Sequence, residues 1–276
     1  TASLGGYGEA LLIGNFILLI TIVIQRHWRQ AGLPGKWHHW ALWGFLSGLG
    51  LWAFGITLVY SAASLIYLGG YLLFRKPYLF GRDHSEKPVP TSFARLWIVP
   101  LLSLLTGAFA GSAPWWGFAM QSGFSHLMRE LGGGAIAGVE QTAWIVQMWQ
   151  HLLNLILLGS TAAFGFRPPW EVVWLALPLI PFVLFFWILV AVLVVKEIFL
   201  KDGNENSNTR TPDIETKWMH RLFILVILIL LTAFVLSPFG ADPSGRYFVP
   251  LAVPSVLLAG WSVVKLRDRI GWKAYT

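Results

Sequence analysis

Apolar residues run along this chain in long unbroken blocks rather than alternating with polar ones. The blocks fall at about Gly8–Ile24, Trp40–Ile56, Thr57–Phe74, Leu96–Gly111, Val172–Val195, Leu222–Leu236 and Phe248–Val264. Crossing a bilayer as a helix takes roughly 20 apolar residues, whereas barrel strands show short alternating segments, which these Leu/Ile/Val/Phe runs lack. The pattern therefore predicts an all-α fold, a polytopic membrane helical bundle of about seven spans. The stretch from Trp40 to Phe74 is too long for one ordinary span and too short for two full ones. It reads as a tight hairpin of short helices turning near Phe54–Thr57.

Charge sets the orientation. Lys and Arg are retained on the cytoplasmic side of short loops. Of the 20 Lys and Arg, only Arg129, Arg167 and Arg246 fall outside the segments Gln25–His39, Arg75–Arg95, Lys196–Arg221 and Lys265–Thr276. A hairpin at Trp40–Phe74 puts those four segments on one side. The N-terminus is then outside, the C-terminus cytoplasmic, and the formal charge of +7 is a consequence of topology in a bacterial-type cytoplasmic membrane, not a nucleic-acid footprint.

Composition agrees with this. A hydrophobic share of 56%, 12% charged residues and 16 tryptophans do not fit a soluble domain of this length. With no cysteine, disulfides, Cys-ligated zinc, haem thiolates and iron–sulfur clusters are excluded. Three regions follow: residues 1–112, the first membrane helices with the hairpin; 113–171, an extracytoplasmic Trp-rich segment suited to headgroup depth; and 172–276, the C-terminal membrane helices. Within the last, the polar stretch 201–217 reads as a flexible cytoplasmic linker. Gly44, Gly48, Gly50 and Gly55 recur at small-residue spacings that permit close helix packing.

Candidate chemistry concentrates outside. In "SHLMRELGGGAIAGVEQ", His126, Arg129 and Glu130 fall within about one helical turn, and Glu140 and His151 follow. Glu140, Glu130 and His151 are the candidate catalytic residues, as carboxylate or imidazole bases. Arg246, in the Gly/Pro turn "SPFGADPSGRYFVP", presents a planar donor fork at headgroup height, where the anion expected is a phosphate. Its alternative is a snorkelling Arg paired with Asp242. No His-x-x-x-His or Asp-x-Asp pair points to a metal, and "GLPGK" lacks the strand–turn–helix context of a phosphate loop. His126 and His151 are the first axial ligands to inspect for a bound pigment or haem. Acidic residues are nearly absent from the spans, which weakens a transporter reading.

Several segments together resemble the integral-membrane glycosyltransferases of the GT-C class, the family of protein O-mannosyltransferases and aminoarabinose transferases. They are "GGYGEALLIGNFILLI", "WALWGFLSGLGLWAFGITLVY", "GSAPWWGFAM" with "GGGAIAGVE", and "GRYFVPLAVP". The resemblance implies transfer of a sugar from a polyprenyl-phosphate donor at the outer membrane face, with an acidic base and no cofactor beyond the donor substrate. It implies donor-phosphate contacts from Arg246, Tyr247, Asp242 and Arg129. Enzymes of this class carry their acidic motif in the first outer loop, and this sequence starts beyond that point, with no Asp-Asp, Asp-Glu or Glu-x-Asp pair in its outer segments. The chain is thus expected to be either a transferase that works with an upstream acidic loop, or a non-catalytic transmembrane subunit of a larger complex. Membrane lipid, the lipid-linked sugar and other membrane subunits are the expected partners, and nucleic acid is not.

Overall fold

The computed structural model describes residues 6–31, 35–74, 97–131, 144–159, 177–199, 210–237, 240 and 245–270, and among them every regular element is a helix. The chain divides into two compact units, Thr1–Val139 and Glu140–Thr276. The boundary falls inside the stretch 113–171.

The first unit opens with α1 (Gly6–Ala31), α2 (Trp37–Ala53) and α3 (Leu58–Phe74). Glu9 in the first turn of α1 and Arg29 in its last complement the helix dipole. Between α2 and α3, Phe54 is extended and Gly55–Thr57 forms a single 3₁₀ turn. Paired contacts give the directions. Tyr7 meets Phe54 at 4.8 Å, while at the other end of α1 the Trp28 ring lies 6.4 Å from Trp40 and 5.7 Å from Tyr71. Helix α2 therefore runs against α1 and α3 runs with it, an antiparallel hairpin whose break falls at Phe54–Thr57, as the apolar pattern predicts. Polar side chains inside this packing find one another: Trp43 Nε1 donates to Thr21 Oγ1 at 3.0 Å, Thr21 Oγ1 to the Ile17 carbonyl at 2.7 Å, and Ser61 Oγ to Ser47 Oγ at 3.1 Å. In hydrocarbon each would otherwise cost several kcal/mol.

Helix α4 (Val99–Gly111), with Pro100 in its first turn, packs along α2 in the same direction. The seam is made of glycine. A Cβ at Gly44 or Gly48 would collide with the carbonyl oxygens of Leu104 or Ala108, and one at Gly107 or Gly111 with those of Ala41 or Phe45. These are two Gly-x-x-x-Gly stripes laid against each other, the device by which membrane helices bring their backbones together. The glycines of α2 thus serve α4, while Gly50 makes room for Thr57 in the hairpin turn and Gly55 faces open space among the described residues. The opposite face of α4 leaves Leu101, Leu102, Leu105 and Phe109 exposed. After it come the short helices α5 (Ala113–Ser122) and α6 (Phe124–Leu131), separated at Gly123, whose φ of 93° suits glycine.

The second unit holds α7 (Trp144–Asn154), α8 (Ile180–Phe199), α9 (Arg210–Leu236) and α10 (Ala252–Ile270). Lys265 pairs with Glu197 at 3.3 Å, and the His220 ring meets Trp261 at 4.2 Å, so α8 and α10 are parallel and α9 runs in the opposite sense. The apolar block Val172–Val195 is helical from Ile180 onward, after a 3₁₀ turn at Leu177–Leu179; residues 172–176 lie outside the described set. The stretch 201–217 is not all linker: α9 starts at Arg210, with Pro212 in its first turn where a missing N–H costs nothing. The last block begins as a 3₁₀ segment, Gly245–Leu251, because Pro250 offers no N–H to an α-ladder.

Four stretches are long and apolar enough to cross a membrane: Gly6–Gln30, Ile180–Phe199, Thr216–Leu236 and Tyr247–Arg267. Gly55–Tyr71 and Val99–Gly111 are shorter apolar helices. The molecule is an all-α membrane protein among its described residues.

Candidate functional site

Each unit has two chemically different ends. In the second unit, Lys196, Glu197, Lys217, Arg221, Lys265 and Arg267 mark one end, where the Arg221 guanidinium also lies 4.9 Å over the Trp218 ring. The other end is uncharged among its described side chains and is built on α7. His151 lies there, 4% exposed, with its Nδ1 2.9 Å from the carbonyl oxygen of Val235. A carbonyl only accepts, so Nδ1 carries the hydrogen, and in the neutral ring the lone pair is on Nε2. Val235 stands in the last turn of α9, where carbonyls lack helical partners, so His151 caps that helix from outside. One turn further along α7, Asn154 Nδ2 donates to the Gly240 carbonyl at 2.9 Å.

Two glycines let these groups meet. A Cβ at Gly240 would strike the His151 ring and the Phe234 carbonyl, and one at Gly159 would strike the Phe248 ring. Phe248 in turn packs on Phe234 at 4.9 Å. The result ties three parts of the chain into one corner: α7, the end of α9 and the 3₁₀ segment Gly245–Leu251 that carries Arg246 and Tyr247.

The sequence-derived residues are thus distributed over both units. His151 and Tyr247 are described in the second unit, Tyr247 half-buried. Arg246 belongs to the same 3₁₀ segment, but its side chain is outside the described set, as are those of Arg129 and Glu130 on α6 of the first unit. Glu140 and Asp242 lie outside the described residues altogether. Asn154, Gly159 and Gly240 escaped sequence reasoning. The only signal was that Gly240 and Asn154 each flank an apolar run, which does not show that they meet.

Among the described residues, no three His, Asp or Glu side chains are grouped so as to hold a metal ion. His126 is exposed on α6, and His151 has one ring nitrogen committed to Val235, which leaves only Nε2 to meet any other group. No protein-family model, curated protein or solved structure matches the chain.

Proposed function

We propose that this protein is a GT-C-like membrane glycosyltransferase scaffold that receives the phosphate of a polyprenyl-phosphate-linked sugar at the outer end of its second unit. One observation carries the reading: the 3₁₀ segment bearing Arg246 and Tyr247 is held at the end of that unit opposite the Lys265–Glu197 pair, against α7 and its buried His151. An Arg in a proline-stiffened turn at headgroup height meets a phosphate with paired, charge-assisted hydrogen bonds. Asp242, four residues before it in the sequence, is the candidate to orient it. Glu140, at the head of the second unit, is the favoured acidic base there, and Glu130 with Arg129 belongs to the outer helix α6 of the first unit.

The topology in this reading has about seven spans. The hairpin α2–α3 and the short helix α4 add three to the four long apolar stretches, and the Trp-bearing helices α5 and α7, with α6, lie at the outer interface. The N-terminus is outside and the C-terminus in the cytoplasm of a bacterial-type membrane. In this assignment the basic segments of the sequence fall on the cytoplasmic side.

The test is binding of undecaprenyl phosphate to the chain in nanodiscs, compared with phosphatidylglycerol as a lipid of like charge. Arg246→Ala is expected to weaken undecaprenyl-phosphate binding about tenfold or more, and Arg246→Lys to retain part of it. Unchanged binding in Arg246→Ala would overturn the reading and leave a non-catalytic membrane subunit in its place.

A further inference from the structure

The corner where α1 gives way to α2 gathers cations and imidazoles with no described acid among them. Arg26, His27 and Arg29 stand in the last turns of α1, and Lys36, His38 and His39 open α2. The His27 and His39 rings lie 6.2 Å apart and the His38 and His39 rings 4.5 Å apart. Of the described acidic residues in this unit, Glu9 is at the far end of α1 and Glu130 is on α6. Lys36 and His38 are exposed, and so is Trp37, at 63%. His39 is half-buried, and its Nδ1 is shut off from solvent with no hydrogen-bond partner among the described residues.

Among the described residues, Lys36, His38 and His39 have no acid beside them. Burial first, then the neighbouring His38, His27 and Lys36, hold the His39 pKa below its ordinary value, and a negative group there would relieve all of these effects together. A metal ion would add charge of the wrong sign, and the imidazoles are not grouped to hold one. Depth then selects the kind of anion. Trp28, Trp40 and Tyr71 pack beneath the corner, Trp37 extends beside it, and the corner sits at the end of a helix long and apolar enough to cross a bilayer. Indole rings collect at headgroup level, where phosphates belong to lipids, and basic pockets between membrane helices hold acidic headgroups.

We propose that the α1–α2 corner binds the headgroup phosphate of an acidic phospholipid, with Lys36, His38 and His39 as the contacting side chains. The site is at the opposite end of the first unit from the outer helices and stands independently of the sugar-transfer reading.

The test uses the full chain in nanodiscs of pure phosphatidylcholine and of an equimolar mixture with phosphatidylglycerol. Acylation of His38 by diethylpyrocarbonate, followed by peptide mass spectrometry, is expected to be several-fold slower in the mixed discs. Exposed His126 serves as the internal reference and is expected to react equally in both. Native mass spectrometry is expected to show retained phosphatidylglycerol on the wild type and its loss in the triple variant Lys36→Gln, His38→Asn, His39→Asn. Equal acylation of His38 in the two disc types, or slowing at His38 and His126 alike, overturns the proposal without reliance on the variant. Protection of His38 in pure phosphatidylcholine by inorganic phosphate overturns the lipid assignment in favour of a soluble phosphate.

Discussion

Replacing Gly107 by alanine tests how the first unit is held together. The new methyl group would fall on the Ala41 carbonyl oxygen and 2.9 Å from the Phe45 nitrogen. Both are backbone atoms, so no side chain can swing aside and the two helices must separate. Close Cα–H···O contacts contribute about 0.5–1 kcal/mol each. Gly44, Gly48, Gly107 and Gly111 share one seam, so a separation loosens all four sites and costs about 2–4 kcal/mol. Alanine is a better helix former than glycine by about 1 kcal/mol, which offsets part of this. The net expectation is a loss of about 1–3 kcal/mol, a five- to 150-fold shift toward the unfolded form. Unfolding in mixed micelles of dodecyl maltoside and dodecyl sulfate, followed by tryptophan fluorescence, reads it. The control is Gly69→Ala on α3, where no described atom lies within 4 Å of the added carbon. That variant is expected to be neutral or stabilised by up to about 1 kcal/mol. If the two variants shift equally, or Gly107→Ala is neutral, the glycine seam does not hold α2 to α4.

Other perturbations reach other parts of the molecule. Trp43→Phe removes the donor to Thr21 and also shrinks a buried ring, so a destabilisation of about 1–3 kcal/mol is expected in the same titration; the hydrogen bond's share, about 0.5–1.5 kcal/mol, is read as the smaller loss in a Thr21→Val background. His151→Phe removes the cap on the Val235 carbonyl and is expected to cost about 1–3 kcal/mol, with faster amide exchange in the last turn of α9 by mass spectrometry. Because burial, then His38, His27 and Lys36, lower the His39 pKa, folding favours its uncharged form. Its contribution to stability is therefore full above the ordinary imidazole value of about 6.5 and is lost as the pH falls below it. Thermal unfolding of the wild type in phosphatidylcholine is expected to weaken through that window, and His39→Asn to flatten the profile. Lys265→Gln breaks a partly buried ion pair and is expected to cost about 0.5–2 kcal/mol, with the difference shrinking in high salt.

The hairpin of α2 and α3 was legible in the chain because two constraints meet there: an apolar stretch of awkward length, and basic residues that must end on one side. The long apolar stretches were equally plain, since hydrocarbon admits only helices with satisfied backbones. What the one-dimensional pattern could not assign was the partner of each surface. The stripe Gly44 and Gly48 announces a close approach but not to which helix; only the folded chain shows that Gly107 and Gly111 complete it. The corner around His151 follows the same rule. Asn154 and Gly240, and His151 and Val235, are far apart in sequence and meet because α7 closes the end of α9. Sequence alone determined the helical class and the membrane setting, each fixed by local hydropathy. Tertiary structure decided which glycines touch which carbonyls and which polar atoms are capped, because those depend on contacts between helices that no local pattern encodes.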